Sequence, residues 1–331
     1  MEIFTWILIF VVSLAALVKG SHWFLHGAER LGIRLGFSPF VIGALIVGIG
    51  TSLPELVSAF AAIIQGVPEV VVANATGSNI ANILLILGII AIMGRRLEVT
   101  RSLIDLELPL FAISTVLFLG IVYDGQVLQI ESILLFITYL IYFVYSLAGG
   151  EKKASTVVAE KSKELQKFAE REYWGLIYVL RRVAHFKDQI LFVAGLCAVL
   201  LGAKYLIESV IELSTLLDIA PGLISISAIA IGTSLPELAV SGRAVLQGKS
   251  EVAVGNILGS NSFNALFVVG LPGLFGSLSV DHSTLSIGVP IMALATFLFI
   301  IVGISRRIYH WEGMMFLVLY VFFILKIFSI I

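Results

Sequence analysis

Long apolar runs separated by short polar connections follow one another along almost the whole chain. Each run is close to the roughly 20 residues that an α-helix needs to cross a bilayer. We predict ten membrane-spanning helices, with these approximate bounds: 3–27, 39–65, 70–94, 103–122, 127–148, 189–212, 221–246, 252–275, 284–304 and 312–330. The segment 149–188 interrupts the pattern with nine Lys or Arg and six Asp or Glu. It is predicted to be a solvated loop with some helix.

Composition supports an all-α integral membrane protein. The chain is 59% hydrophobic and only 13% charged, which is more apolar sequence than a soluble core of 331 residues needs. A net charge of −1 gives no electrostatic reason to expect a nucleic-acid partner. The single cysteine, Cys197, excludes an intramolecular disulfide and a cysteine metal cluster. The lipid bilayer is therefore the expected surrounding.

The heptapeptide GTSLPEL occurs twice, at Gly50–Leu56 and at Gly232–Leu238. At this constant offset of 182 residues, Gly50–Gly88 and Gly232–Gly270 are identical at 20 of 39 positions. Each half has five predicted spans, and because five is odd the second half must enter the membrane upside down. We therefore predict two inverted five-helix repeats, 1–148 and 189–331. Inverted repeats place a substrate site near the midplane, where the two copies meet.

Basic residues mark one side of the membrane. Alternate connections between the spans hold 18 of the 21 Lys and Arg residues. The opposite connections, near 66–69, 123–126, 213–220 and 276–283, hold none. Because basic loops remain in the cytoplasm, we predict a multi-pass protein of the cell membrane with segment 149–188 cytoplasmic and both termini extracellular.

Each GTSLPEL copy carries one buried acid. Glu55 is the sole charged residue between Ser38 and Pro68, and Glu237 is the sole one between Ile219 and Gly242. An ionised acid at the centre of a membrane helix costs about 3 kcal/mol on insertion scales. The two carboxyls either bind a cation or are protonated or structurally paired. We favour cation binding, because the feature occurs twice and no basic residue lies at a matching depth.

Neighbouring residues can add further oxygen ligands. Pro54 and Pro236 break the preceding turn and free backbone carbonyls, which a bound cation can satisfy; a simple kink is the alternative. Thr51 and Thr233 precede the acids by four residues, so each is expected to share a helix face with its acid. Ser52 and Ser234 precede the acids by three residues. Gly50 and Gly232 are at least as consistent with helix packing as with a direct role.

The next span of each repeat carries a polar face. Its members recur at intervals of four residues: Asn74, Ser78 and Asn82, then Asn256, Ser260 and Asn264. Isolated Ser and Asn often only hold membrane helices together. We favour a ligand role for Ser78, Asn82, Ser260 and Asn264, and leave open the roles of four other asparagines. These are Asn74, Asn79, Asn256 and Asn261.

Oxygen-only donors suit hard cations such as Ca²⁺, Mg²⁺ or Na⁺. Two bidentate glutamates and two threonine carbonyls would supply six oxygens, within the six to eight that Ca²⁺ takes, whereas Mg²⁺ tends to keep its waters. Two carboxylates about 5 Å apart repel by roughly 3 kcal/mol at an effective dielectric near 20. An empty site would carry this uncompensated charge across the membrane, so we expect the site to cross only when ions are bound. Transport would then be an obligatory exchange of ions. A passive channel and an intramembrane enzyme are the competing classes; no His-Glu-x-x-His motif supports an enzyme.

The polar residues at the end of the first span are less specific. At the offset of 182, His22 aligns with Lys204 and His26 with Glu208. We interpret them as residues that face the membrane interface or a cavity, in preference to a transport role.

Together these motifs give the chain a resemblance to a known family. In each half, Gly-Thr-Ser-Leu-Pro-Glu followed by Asn-x-x-Gly-Ser-Asn resembles the paired alpha repeats of the cation/calcium exchanger superfamily, above all the sodium/calcium exchangers, including short archaeal ones. The resemblance implies alternating access in which Na⁺ entry drives Ca²⁺ export. Both ions are transported, and no resident cofactor is expected. One chain contains both repeats, which favours a monomeric transport unit.

Site residues can be carried over from the family motif. The resemblance implies that Glu55 and Glu237 bind Ca²⁺ together with the carbonyls of Thr51 and Thr233. The implied sodium sites add four hydroxyls and two backbone carbonyls: those of Ser52, Ser78, Ser234 and Ser260, and those of Gly48 and Ala230. Asn82 and Asn264 are implied to lie at the middle of the site. Potassium-dependent exchangers carry Asp where Asn264 stands, which argues against K⁺ dependence. A proton-driven or K⁺-dependent Ca²⁺/cation antiporter is the alternative.

Overall fold

The computed structural model describes residues 2–34, 50–99, 104, 107–145 and 176–329. Helices dominate the first half. In chain order its elements are α1 Glu2–Arg34, α2 Leu53–Ile64, α3 Glu69–Ile80, a π-helical segment Ala81–Ile86, α4 Leu87–Gly94, β1 Arg96–Glu98, α5 Leu108–Val122, β2 Gln126–Val127 and α6 Gln129–Tyr145.

The second half repeats this plan. Its elements are α7 Leu176–Leu217, α8 Pro221–Ile224, a π-helical segment Ser225–Ile229, α9 Ala230–Thr233, α10 Leu235–Leu246, α11 Ser250–Phe263, a π-helical segment Asn264–Val268, α12 Val269–Gly273, β3 Leu278–Ser279, a π-helical segment Thr284–Gly288, α13 Val289–Ile304, β4 Arg307–Tyr309 and α14 His310–Ile327.

The helices confirm an all-α membrane protein. Within the described residues, seven helical stretches are long and apolar enough to cross a bilayer. Three shorter apolar helices, α2, α5 and α6, fall within the other three predicted spans. Residues 35–49, which include the start of the second predicted span, lie outside the described residues. Helix α7 begins at Leu176, so the last part of the segment predicted as a loop is helical.

Two short antiparallel ribbons reveal the symmetry of the fold. β1 pairs with β4, with Arg96 opposite Tyr309 and Leu97 opposite Ile308. β2 pairs with β3, with Val127 opposite Leu278 and Gln126 opposite Ser279. The offset of 182 converts the first set of pairs into the second with the partners exchanged. Helix α5, which is 15 residues long, separates β1 from β2 and puts the ribbons about 20 Å or more apart.

The helices that follow each GTSLPEL copy form the centre of the molecule. In the most apolar 18 residues of Glu69–Gly94 and of Ser250–Gly273, 72% and 78% of the residues are buried, against 17% in the corresponding part of α1. Large apolar side chains instead cover the outside, among them Phe4, Ile64, Val116, Phe297 and Val318. An apolar exterior around a buried polar centre is the arrangement expected in lipid.

Helices α1 and α7 approach each other closely through glycines. A Cβ atom on Gly20 would lie 2.8 Å from Ala198 Cβ and from Val199 N. A Cβ atom on Gly202, the equivalent position of the second repeat, would lie 2.7 Å from Leu17 N. Only glycine permits this spacing, which is typical of helix pairs in membranes.

Candidate cation-binding site

Both GTSLPEL copies contain a break in the helix. Ser52 and Ser234 have nearly the same backbone angles, φ −94° and ψ 16° against φ −83° and ψ 2°. A new helix begins at the next residue in each copy, with Pro54 or Pro236 in its first turn, where a missing N–H is tolerated. The helix face that each threonine was predicted to share with its acid is therefore interrupted, because the break lies between them.

The two acids occupy equivalent positions at these breaks. Glu55 lies in the first turn of α2 and Glu237 in the first turn of α10, and both are fully buried. The positive end of a helix dipole stabilises a carboxylate in this position. The two carboxyls are close enough to interact electrostatically. The fold thus brings together two acids that are 182 residues apart in sequence.

Residues of the opposite repeat lie beside each acid. The Ser52 hydroxyl donates a hydrogen bond of 2.8 Å to Glu237 Oε1. Thr51 and Ser260 also lie beside Glu237, and their hydroxyl oxygens are 3.3 Å apart. Thr233 and Ser234 lie beside Glu55. The site is therefore shared between the repeats and is not two separate copies.

Many oxygen atoms in this buried region have no protein partner. Among the residues that the structure describes, both carboxylate oxygens of Glu55 and Oε2 of Glu237 have no hydrogen-bond partner at normal distance. The same holds for oxygens of Ser78, Asn82, Ser234 and Asn264. Buried polar atoms are almost always paired, and an unpaired one costs about 1–3 kcal/mol. Unpaired carboxyl, hydroxyl and amide oxygens are donors of the kind that a hard cation takes.

The other residues predicted from the sequence lie as follows. Ser78, Asn82, Ser260 and Asn264 are 0–1% exposed, on the central helices. The π-helical segments of both repeats begin at or beside the asparagines, at Ala81 and Asn264. Such π-bulges are frequent at functional sites. Ala230 is buried as the first residue of α9, and Thr51 and Thr233 are buried at the breaks. Gly48 lies outside the described residues.

The asparagines whose roles were left open make packing contacts. Asn74 donates to the Ser58 hydroxyl at 3.4 Å, and Asn256 donates to the Ser241 hydroxyl at 3.1 Å. Asn79 donates to the Asn261 carbonyl at 3.1 Å and so joins the two central helices across the repeats. This last contact was not predicted, although the matched pair in the repeat could have indicated it.

One polar cluster inside the apolar helices was also missed. The Tyr142 hydroxyl donates a hydrogen bond of 2.8 Å to Glu107 Oε2, and Ser262 lies beside Tyr142. The signal in the sequence is an acid within the fourth predicted span, without an equivalent at Val289 of the second repeat.

Two buried acids with hydroxyl groups beside them, inside apolar helices, are the arrangement expected of a membrane protein with an internal cation site. A family model described as sodium/calcium exchanger protein matches residues 5–148 and 188–328. The chain belongs to this family, within the cation/calcium exchanger superfamily.

Individual relatives extend over nearly the whole chain. Sodium/calcium exchanger MaX1 of Methanosarcina acetivorans is 34% identical, and the match covers 98% of each chain. Inner membrane protein YrbG of Escherichia coli is 32% identical over 87% of this chain and 86% of its own. A solved structure of the sodium-calcium exchanger NCX_Mj, soaked with Na⁺ and Sr²⁺, matches 97% of this chain and 98% of its own, with a TM-score of 0.63 and 28% identity.

Proposed function

We propose that this chain is an antiporter that exports Ca²⁺ in exchange for Na⁺. The supporting observation is the shared site, in which residues of each repeat lie beside the acid of the other. Membership of the sodium/calcium exchanger family supports the choice of ions. The reaction moves ions without changing a covalent bond, so no enzymatic step is involved.

The proposed architecture has ten membrane helices in two inverted five-helix repeats, 1–148 and 189–331. The ribbons support it, because the offset of 182 relates their pairings while α5 separates them. Five basic residues lie in or beside the β1–β4 ribbon: Arg95, Arg96, Arg306, Arg307 and His310. The positive-inside rule then assigns this end, and segment 149–188, to the cytoplasm and both termini to the outside.

The proposed ligands are those of the family motif, and several of them have unpaired oxygens. Ca²⁺ is bound by the carboxylates of Glu55 and Glu237 and the carbonyls of Thr51 and Thr233. The sodium ions add four hydroxyls and two backbone carbonyls: those of Ser52, Ser78, Ser234 and Ser260, and those of Gly48 and Ala230. Asn82 and Asn264 lie at the middle of the site. The unpaired oxygens of Ser78, Ser234, Asn82 and Asn264 support this assignment.

Electrostatics explain why the site exchanges ions and does not leak them. Two carboxylates without a cation would carry two charges through the membrane, at a cost of several kcal/mol. One Ca²⁺ or several Na⁺ ions remove this cost, so the loaded forms cross and the empty form does not. Alternating access then follows from movement of one group of helices against the other around a fixed site.

The coupling ion can be tested with purified protein in sealed vesicles. We expect ⁴⁵Ca²⁺ uptake into vesicles loaded with Na⁺, and no uptake into vesicles loaded with K⁺ or with acid. Uptake driven only by an outward proton gradient would show a proton-driven exchanger. Uptake that needs K⁺ in addition to Na⁺ would show the potassium-dependent class. Ca²⁺ flux that persists without any counter-ion would instead indicate a channel.

A further inference from the structure

A groove of about 1000 Å³ opens between α1 and α10. Its walls are largely apolar, with Leu14 and Val18 on one side and Ala239 and Val240 on the other. Thr51 lines it as well, so one end reaches the cation site. Leu14 lies at the same depth as the second GTSLPEL copy, because a Cβ atom on Gly232 would touch the Leu14 side chain.

The other end of the groove is basic. Four exposed residues line it, namely Lys19, His22, His26 and Arg243. The rings of His22 and His26 lie 5.1 Å apart between centroids, and Lys19 and Arg243 carry a positive charge at neutral pH. The apolar stretch of α1 ends at Phe24, so His26 lies just beyond it and Lys19 and His22 lie near its end. Long basic side chains near the end of a membrane helix extend to the lipid headgroups.

The internal repeat does not produce a second copy of this basic cluster. At the offset of 182, Lys19 corresponds to Leu201 and His26 to Glu208, while Arg243 corresponds to Ala61. The equivalent positions in the other repeat therefore lack this concentration of positive charge. Only His22, which corresponds to Lys204, has a basic counterpart.

Charge and wall chemistry together select the ligand. Fixed positive charges repel Ca²⁺ and Na⁺, and an apolar wall offers few groups to replace their water, so the groove does not suit an entry path for cations. An anionic headgroup with an acyl chain matches both ends. The distance along α1 from Leu14 to His26 is about 18 Å, close to half the thickness of a bilayer.

We propose that an anionic phospholipid from the leaflet at the basic end of the molecule occupies this groove. Its phosphate is held by Lys19 and Arg243, with His22 and His26 alongside. One acyl chain lies between α1 and α10 and ends beside Gly50 and Thr51. The lipid is thereby in contact with the break that carries the cation site. The four basic residues at the phosphate end are separate from the proposed ligands of the transported ions.

Native mass spectrometry of the purified full-length protein tests the proposal. Delipidated protein is titrated with phosphatidylglycerol and with phosphatidylcholine of the same acyl chains. We expect the anionic lipid to bind at least about tenfold more tightly. Removing both charges in the double variant Lys19→Gln, Arg243→Gln should abolish this preference. The matched control Arg306→Gln, Arg307→Gln removes two exposed charges at the same end and should keep it.

A second variant separates the groove from simple charge attraction. Ala239→Phe fills the apolar wall and leaves all four basic residues in place, so it should weaken binding of the anionic lipid at least fivefold. It also tests the proposal if the double variant does not fold. Equal binding of the two lipids, unchanged binding by Ala239→Phe, or an equal loss in the control would overturn the proposal. The binding assay uses no ion gradient, so its result does not depend on the proposed exchange.

Discussion

The hydroxyl of Ser52, in the first GTSLPEL copy, donates a hydrogen bond of 2.8 Å to the carboxylate of Glu237, in the second. A hydroxyl that donates its one hydrogen keeps two lone pairs as acceptors. Ser52 can therefore orient Glu237 and offer an oxygen to a cation at the same time. This bond joins the two GTSLPEL copies in the buried centre of the molecule.

Ser52→Ala should weaken the binding of Na⁺ more than the binding of Ca²⁺. The substitution removes a proposed Na⁺ ligand and leaves both carboxylates, so we expect the Na⁺ concentration for half-maximal Ca²⁺ release to rise about fivefold, equivalent to about 1 kcal/mol. Ser52→Thr keeps the hydroxyl and should behave almost as the native chain. The measurement is ⁴⁵Ca²⁺ release from vesicles at increasing external Na⁺.

Ser209→Ala is the matched control for that experiment. Ser209 is also fully buried, but its hydroxyl donates to the Leu206 carbonyl within α7. If Ser209→Ala and Ser52→Ala shift the Na⁺ dependence equally, Ser52 has no specific part in the site.

Gly202→Ala should destabilise the pair formed by α1 and α7. The added Cβ would lie 2.7 Å from Leu17 N and 3.0 Å from Leu17 Cα, and backbone atoms cannot move aside easily. Overpacking of this kind costs about 1–3 kcal/mol, so the melting temperature in detergent should fall by several degrees. Gly120→Ala is the control, because a Cβ there meets nothing within 4 Å. Equal melting temperatures for the two variants would argue against close packing of α1 on α7.

The two ribbons should face opposite sides of the membrane. In a Cys197→Ala background, Gln126→Cys and Arg307→Cys place single exposed thiols on β2 and on β4. A membrane-impermeant maleimide added to right-side-out vesicles should label position 126, and position 307 only after permeabilisation. Labelling of both positions from the same side would contradict the inverted arrangement.

The helices and the composition of the site could be predicted from sequence because each rests on a local property. A run of apolar residues must form a helix in lipid to pair its backbone groups. Among the described residues, seven predicted spans accordingly coincide with helices long enough to cross a bilayer, and the other three contain a shorter apolar helix. A lone acid in such a run has few roles, which is why Glu55 and Glu237 stood out. Helix α7 was underestimated because hydropathy detects only its apolar part, whereas the helix begins at Leu176.

The pairing within the site could not be predicted in this way. Two identical heptapeptides allow each serine to bond the acid of its own copy or that of the other, and local sequence does not distinguish these outcomes. The choice is made by the break at Ser52 and Ser234, and by how the central helices cross. The ribbons were missed because two or three residues carry too little periodicity to indicate a strand.

Equilibrium binding of ⁴⁵Ca²⁺ to purified protein tests most directly whether Glu55 and Glu237 form one shared site. We predict that the native chain binds one Ca²⁺, and that Glu55→Gln and Glu237→Gln each remove all of this binding at concentrations that saturate the native chain. Glu98→Gln, at an exposed acid paired with Arg96, should leave it unchanged. Binding that falls by about half in each variant, or that persists in either, would contradict a single site shared by the two repeats.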